Sequence, residues 1–290
     1  MPPKRLDPRE FFSTTRLVIV AGKGGVGKTT VTAVLARAAA EAGLRVLVVE
    51  LDGKPTLAAL TPGLAHLSLS ARDALAEYLE THGLRRIAKR LATNGVIDVV
   101  STAAPGIDDI VVLGKLKQLE RSGEYDLIVV DGPAAGHAIT FLLAARSLLD
   151  TVHSGPIFTQ ATEVLELLGD AARCQVVLVA LPETTPVNEL IDTAYTLEEQ
   201  VGVQLGPIVV NGVDDDPPMV IPDDAGNVLA EAARFRNGRR AMHRRELARL
   251  GEALALGQLR LPLLPRSGLD VNDINLLAAG LGSGFPEESS

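Results

Sequence analysis

The sequence predicts an α/β protein built on a doubly wound, mostly parallel sheet of seven to eight strands flanked by helices. Short apolar runs rich in Val, Ile and Leu show little alternation, which is typical of strands buried on both faces. Helical patterns lie between these runs, and strands that alternate with helices favour a parallel sheet with right-handed crossovers. The chain has 290 residues, of which 47% are hydrophobic, and this is enough for one large α/β domain.

Seven apolar runs are the predicted strands: residues 17–20, 45–51, 96–101, 127–130, 176–181, 207–210 and 259–264. The predicted helices are residues 29–42, 70–91, 108–122, 137–149, 159–172, 187–201 and 225–255. Open α/β sheets bind ligands at the carboxyl ends of their strands. The polar residues that directly follow the predicted strands are therefore the candidates for a functional site.

We expect a single domain over residues 16–281, with an N-terminal extension at residues 1–15 and a flexible tail at residues 282–290. Three segments contain more helix than a minimal sheet fold requires, and we expect them to add a small helical layer to one edge of the core. These helical additions lie around residues 61–91, 151–172 and 223–255.

The amino-acid composition limits which binding partners and which cellular location we expect for the protein. The net charge of −8 does not indicate nucleic acid or an anionic membrane as the main partner. The single cysteine, Cys174, cannot form an internal disulfide or supply paired thiolates for a zinc site. Residues 1–12 lack the apolar stretch of a signal peptide, and no window approaches the ~18 apolar residues of a membrane span. We expect a cytoplasmic protein without a transmembrane segment.

The first predicted strand leads into Gly-Lys-Gly-Gly-Val-Gly-Lys-Thr at residues 22–29, which matches the phosphate-loop pattern G-x-x-x-x-G-K-[ST]. The glycines let backbone N–H groups turn towards the phosphates, and the following helix adds its positive end. Lys28 is expected to reach the β- and γ-phosphates, and the Thr29 hydroxyl to bind Mg²⁺. The sequence therefore predicts a site for ATP and Mg²⁺ formed by Gly22, Lys23, Gly24, Gly25, Val26, Gly27, Lys28, Thr29 and Thr30.

A second lysine, Lys23, follows the first glycine of this loop, where most phosphate loops accept any residue. Residues 23–30 resemble the deviant phosphate loop of the signature-lysine ATPases, a class that includes arsenite-pump, tail-anchored-protein targeting, division-site and plasmid-partition ATPases. The resemblance implies that Lys23 crosses a dimer interface to the partner's nucleotide and takes part in catalysis. A solvated surface lysine is the alternative.

Asp52 follows the second predicted strand, where a carboxylate would lie near the γ-phosphate and hold the attacking water in line. Residues 52–57 resemble the first switch of the arsenite and tail-anchor ATPases, Asp-Pro-Ala-His-Ser/Asn-Leu, although Gly53, Lys54 and Pro55 replace its central residues. The resemblance implies that Asp52 activates the water and contacts Mg²⁺, directly or through water. The alternative is an Asp-Gly turn capped by Asp52.

Asp131 ends the fourth strand as a Walker B acid would, where it would hold a water of the Mg²⁺ shell opposite Thr29. Residues 131–142 are similar to the second switch of the arsenite and tail-anchor ATPases, Asp-Thr-Ala-Pro-Thr-Gly-His-Thr-Leu-Arg-Leu-Leu. The matching residues are Asp131, Gly136, His137 and Leu142, whereas Gly132, Ala135 and Thr140 differ. His137 either caps and orients this switch or acts in catalysis.

Asn211 ends the apolar run Ile208-Val-Val-Asn211, directly after the predicted strand at residues 207–210, and its amide could pair with an adenine edge. It matches the adenine-reading asparagine of the same family, and Pro262 lies where that family packs a loop on the base. A turn-forming role before Gly212 is the alternative for Asn211. Residues 182–189 also resemble the family, with a proline-fixed turn and Glu189 in the first turn of the following helix.

Seven arginines lie within residues 234–249, either as a solvated, salt-bridged helix face or as a surface for an acidic partner. Taken together, the resemblance implies a Mg²⁺-dependent ATPase that dimerises around nucleotide, as a homodimer or with a paralogue, to bind and release a protein client or a membrane-associated partner. The alternatives are a partition or division ATPase and a nucleotide-binding adaptor with little turnover. The net charge of −8 argues against nucleic acid as a partner.

Overall fold

A seven-stranded, all-parallel sheet forms the centre of the protein. The computed structural model describes residues 11–12, 14–51, 56–81, 106–222, 226–266 and 268–283. The strands are β1 (Leu17–Gly22), β2 (Val46–Glu50), β3 (Ala65–Ser68), β4 (Leu127–Ala134), β5 (Cys174–Ala180), β6 (Ile208–Val213) and β7 (Gln258–Pro262). Their order is β3-β2-β4-β1-β5-β6-β7, which confirms the predicted parallel α/β class.

Helices cover both faces of this sheet, as the doubly wound prediction requires. They are α1 (Lys28–Glu41), α2 (Thr56–Leu60), α3 (Ala71–Thr81), α4 (Ile107–Ser122), α5 (Ala135–Thr151), α6 (Pro156–Leu168), α7 (Thr184–Thr196), α8 (Asn227–Ala253) and α9 (Val271–Ser283). A π-helical turn, Leu197–Val201, extends α7. Helices α1 and α9 share one hydrophobic core with the sheet, and α3 to α8 share the other.

The central strand β1 explains why the apolar runs show so little alternation. Every residue of Leu17–Gly22 is buried. Because successive side chains of a strand point to opposite faces, Leu17 and Ile19 enter the core beneath α3 to α8, whereas Val18 and Val20 enter the core beneath α1. Both faces of β1 are therefore apolar, and this explains the continuous apolar run from which the strand was predicted.

The strand Ala65–Ser68 corrects the prediction of helix around residues 61–91. It forms the edge strand β3, parallel to β2, with residues that alternate between half-buried and exposed. An edge strand of four residues needs no apolar run, so its sequence carried little strand signal. Helix α3 occupies Ala71–Thr81, and the rest of the predicted helix, like the predicted strand at residues 96–101, lies outside the described residues.

The other elements differ from prediction mainly at their ends. Strand β4 continues past Asp131 to Ala134, because Gly22 and Ala134 still pair across β1 and β4. Helix α7 begins at Thr184, which puts Glu189 in the second turn and not, as expected, in the first. None of the helices within the described ranges is long and apolar enough to span a bilayer.

Candidate nucleotide-binding site

The loop between β1 and α1 has the backbone of a phosphate cradle. Gly25 and Gly27 have φ angles of 88° and 89°, in the left-handed region that favours glycine. A Cβ atom on Gly27 would lie 2.2 Å from Nδ2 of Asn211, so both backbone and space require glycine there. Val26, between them, is buried and packs into the core beneath α1. The loop is thus anchored at Val26 and open above its glycines.

Helix α1 presents its positive end to this loop. Within the described part of the chain, no side chain caps its start at Gly27, and its first turn contains no acidic residue. The first N–H groups of a helix have no intrahelical partner, so they are available to an anion together with the helix dipole. Lys28 lies in this turn, with its Nζ atom 3.4 Å from the backbone oxygen of Lys23. Its ammonium group therefore folds back over the loop of its own chain, where phosphates would bind.

Thr29 and Asp131 meet on the β4 side of the loop. The Thr29 hydroxyl donates a hydrogen bond to Oδ2 of Asp131 at 2.7 Å, and the Thr32 hydroxyl lies 3.5 Å from Oδ1. Asp131 is in register with Val20 of β1 and Glu50 of β2, at the carboxyl edge of the sheet. This placement brings together the two described residues that were predicted to serve Mg²⁺.

These oxygen donors fit Mg²⁺. A hydroxyl that donates its proton to Asp131 keeps lone pairs for a metal ion, so Thr29 could bind the ion without breaking that bond. Among the residues that the structure describes, no three His, Cys, Asp or Glu side chains are grouped as a metal cage. Mg²⁺ usually takes one or two protein ligands and completes its shell with water and phosphate, so this sparse set suits it. Asp52, the third predicted metal-site residue, lies outside the described residues, as do residues 53–55.

On the opposite side, Asn211 holds the loop. Its Nδ2 atom donates to the backbone oxygen of Val26 at 2.9 Å. Asn211 belongs to strand β6, and the irregularity that follows it is taken up by Gly212, which has a φ of 75°. Pro262 ends the neighbouring strand β7 and pairs with Val213. Asn211 and Pro262 thus lie on adjacent strands at the nucleotide edge, and their contact with adenine remains a prediction.

Lys23 lies on the outer side of the loop. Its Nζ atom donates to Oε1 of Glu189 at 2.5 Å, and the two side chains are 44% and 40% exposed. Glu189 was predicted only as part of a helix and not as a partner of the loop. Pro186, Glu189 and Thr193 recur at helical spacing and line the small cleft beside Lys23. This spacing puts the three residues on one face of α7, but it does not pair that face with the loop, so the sequence did not predict the contact.

The second switch runs from the end of β4 into α5. A Cβ atom on Gly132 would lie 2.4 Å from the backbone oxygen of Val20, so glycine here lets β4 approach β1 closely. His137 is exposed in the first turn of α5. Burial raises the pKa of the Asp109 carboxyl, as does the charge of Asp108, whereas the charge of His137 lowers it. His137 therefore lies near the acidic first turn of α4, and its role as an orienting or catalytic group stays a prediction.

Among the seven arginines of α8, Arg236, Arg240 and Arg249 pair with carboxylates of the same chain. Arg236 donates to both oxygens of Asp214 at 3.0 and 3.1 Å, and this hydrogen-bonded pairing lowers the pKa of the Asp214 carboxyl. Arg240 is buried 3.8 Å from the same carboxylate, and Arg249 pairs with Glu246. These three pairs support the salt-bridged interpretation, although Arg240 is buried and not, as expected, solvated.

Comparison with known proteins supports the assignment of this loop as a nucleotide-binding site. Residues 17–220 match the CobQ/CobB/MinD/ParA nucleotide binding domain, which is more than half of the chain. The ATPase BagA of Mycobacterium tuberculosis is 28% identical over 322 aligned positions, which cover 93% of both chains.

Two further relatives are named arsenical pump-driving ATPases. The protein of Escherichia coli is 31% identical over 196 aligned positions, and that of Acidiphilium multivorum is 32% identical over 196. Each alignment covers 63% of this chain and 32% of the relative, so the likeness extends over about a third of those longer proteins. The chain is therefore a phosphate-loop ATPase that belongs to the CobQ/CobB/MinD/ParA nucleotide-binding domain family and resembles the ArsA-like ATPases.

Proposed function

We propose that this ATPase is a nucleotide-switched dimer that binds and releases a protein client or a membrane-associated partner. ATP would close two protomers around their nucleotides, and hydrolysis to ADP and phosphate would open them again. The second protomer is a copy of this chain or a paralogue. The energy of hydrolysis would then drive a change of shape and not a metabolic conversion.

The different placement of the two loop lysines is the observation that carries this proposal. The ammonium group of Lys28 lies over its own loop, 3.4 Å from the backbone oxygen of Lys23. The side chain of Lys23 instead turns outward to an exposed glutamate on α7. Because Lys28 already serves the phosphates of its own chain, a second cation at the rim is best explained by a nucleotide that approaches from outside.

Each residue of the candidate site would have a separate role in ATP hydrolysis. The loop N–H groups and Lys28 would bind the β- and γ-phosphates and stabilise the charge that moves onto them. Thr29 and Asp131 would hold Mg²⁺, which neutralises phosphate charge when it is bound. Asp52 would accept a hydrogen bond from the attacking water and align it with the γ-phosphorus. The partner's Lys23 would complete the site, so turnover would require the closed dimer.

A metalloid client is not part of the proposal. A three-thiolate arsenite site cannot be built from one cysteine, and Cys174 is fully buried in β5. Burial, and secondly the charge of Glu120, raises the pKa of this thiol, which keeps it protonated at neutral pH. The names of the pump-driving relatives therefore suggest the ATPase mechanism for this chain and not the transported ion.

Lys23→Ala tests the proposal. The parent, Lys23→Ala and Lys115→Ala should be compared by sedimentation velocity with Mg²⁺ and a non-hydrolysable ATP analogue, and by phosphate release with ATP. Lys115 is a suitable control because its ion pair with Glu77 joins α4 to α3 and involves no residue of the loop. The parent and Lys115→Ala should dimerise and hydrolyse ATP, whereas Lys23→Ala should bind nucleotide but do neither.

Two results would contradict the switch. If the parent shows no nucleotide-dependent change in size or shape, the nucleotide-binding adaptor is the better interpretation. If Lys23→Ala hydrolyses ATP at the parental rate, a partner's lysine is not needed for turnover.

A further inference from the structure

The loop lysine that is proposed to serve a second protomer has an ion-pair partner within its own chain. Lys23 follows Gly22, which pairs with Val179 of the neighbouring strand β5. The chain leaves β5 at Ala180 and begins α7 at Thr184, so the second turn of α7 reaches the outer rim of the loop. There Oε1 of Glu189 accepts a hydrogen bond from Nζ of Lys23, beside Pro186 and Thr193.

This ion pair competes with the proposed contact across the dimer. A lysine side chain carries a single compact charge, and a phosphate of the partner's nucleotide would need the same ammonium group. Glu189 would also stand close to that phosphate, and two negative charges at short range repel each other. The pair therefore has to loosen before Lys23 can serve a second protomer.

We infer that Glu189 is a positioning residue that holds Lys23 within its own chain and so sets the threshold for ATP-dependent closure. This inference rests on the proposed dimer switch. It adds to dimer closure the free energy of breaking one Lys23–Glu189 pair in each protomer. Because both side chains are about 40% exposed, water and salt screen the pair, and it can exchange its partner readily.

The size of the effect follows from this exposure. An exposed ion pair shifts an equilibrium by roughly 1.5- to 5.5-fold, and two such pairs must break in each dimer, which multiplies to roughly 2- to 30-fold. Glu189→Gln keeps the shape of the side chain and removes its charge. We expect this variant to dimerise about 2- to 30-fold more tightly in the presence of Mg²⁺ and a non-hydrolysable ATP analogue.

Glu198→Gln is the matched control. Glu198 is exposed in the π-helical turn that follows α7, so its substitution makes the same charge change away from the loop. Sedimentation velocity over a range of protein concentrations gives the dimer dissociation constant of the parent and both variants. Glu198→Gln should match the parent, and a fluorescent nucleotide should bind all three monomers equally, which shows that the phosphate loop is intact.

A double-mutant cycle tests whether Glu189 acts through Lys23. Lys23→Gln, like Lys23→Ala, should not dimerise measurably with the analogue, and the addition of Glu189→Gln should not restore dimerisation, because the group that it restrains is gone. Equal strengthening in both backgrounds would overturn the inference, because Glu189 would then act by general charge.

The remaining outcomes separate the inference from the proposed function. A parent that dimerises with the analogue while Glu189→Gln dimerises equally or more weakly overturns the inference and leaves the switch standing. Failure of both proteins to dimerise overturns the switch and the inference with it. Dimerisation of Glu189→Gln at concentrations where the parent stays monomeric supports both.

Discussion

The two sides of the phosphate loop are held in different ways. On its inner side, Thr29 donates to Asp131 of β4, and Asn211 secures the loop backbone from β6. On its outer side, which faces α7, the side chain of Lys23 is held at its tip by an exposed glutamate. The first set of contacts joins strands and a helix that share hydrophobic cores, whereas the second joins two solvated side chains.

The inner contacts have to be in place before ATP binds, whereas the Lys23–Glu189 pair has to break afterwards. A Mg²⁺ ligand works best when its orientation is already set, and the Thr29–Asp131 bond can persist while the ion binds. Lys23 has to change partners if it serves a second protomer, so a weak and screened contact suits it. The predictions below test this contrast between a preorganised side and an exchangeable side.

The largest effect is expected for Lys28→Ala. Its loss removes charge-assisted hydrogen bonds to two phosphates, which should weaken ATP binding on the order of 1,000-fold. Lys23→Ala should leave the affinity of the monomer for ATP nearly unchanged, because that lysine serves another chain's nucleotide. Equilibrium binding of a fluorescent ATP analogue to dilute protein measures both. Comparable losses in the two variants would remove the distinction between the lysines.

Asp52→Asn is expected to separate binding from turnover. The amide keeps the shape of the carboxylate but cannot accept the proton of water as strongly, so the attacking water loses its alignment. Hydrolysis should fall about 100-fold or more. Affinity for ATP and Mg²⁺ should stay close to the parental value in the same preparation. Equal losses of affinity and of turnover would instead show that Asp52 caps a turn and has a structural role.

The sequence was most informative where burial or a ligand dictates the residue type. The continuous apolar run of β1 predicted a central strand because both of its faces are buried. The phosphate-loop pattern indicated that Thr29 and Asp131 would face each other, although 102 residues separate them. Strand β3 escaped prediction because an edge strand of four residues needs no apolar run.

The partner of Lys23 could not be predicted from local pattern. Glu189 lies 166 residues from Lys23, and their contact depends on where α7 begins relative to the end of β5. Helix boundaries are uncertain by a residue or two, and a shift of one residue turns a side chain by about 100° around the helix. The family resemblance indicated where Lys23 goes in a dimer, but not what it contacts in one protomer.

The smallest effects concern the stability of the nucleotide-free protein, and they compare the two sides directly. Gly27→Ala forces a residue with a Cβ atom into a φ of 89° and against Asn211, which should lower the free energy of unfolding by roughly 1–3 kcal/mol. Lys23→Ala removes an exposed ion pair, which should lower it by about 1 kcal/mol at most. Urea unfolding without nucleotide gives both values, and Asn211→Ala should relieve part of the Gly27→Ala penalty by removing the clashing amide. If Lys23→Ala destabilises the protein as much as Gly27→Ala, the Lys23–Glu189 pair is part of the fold and is not exchangeable.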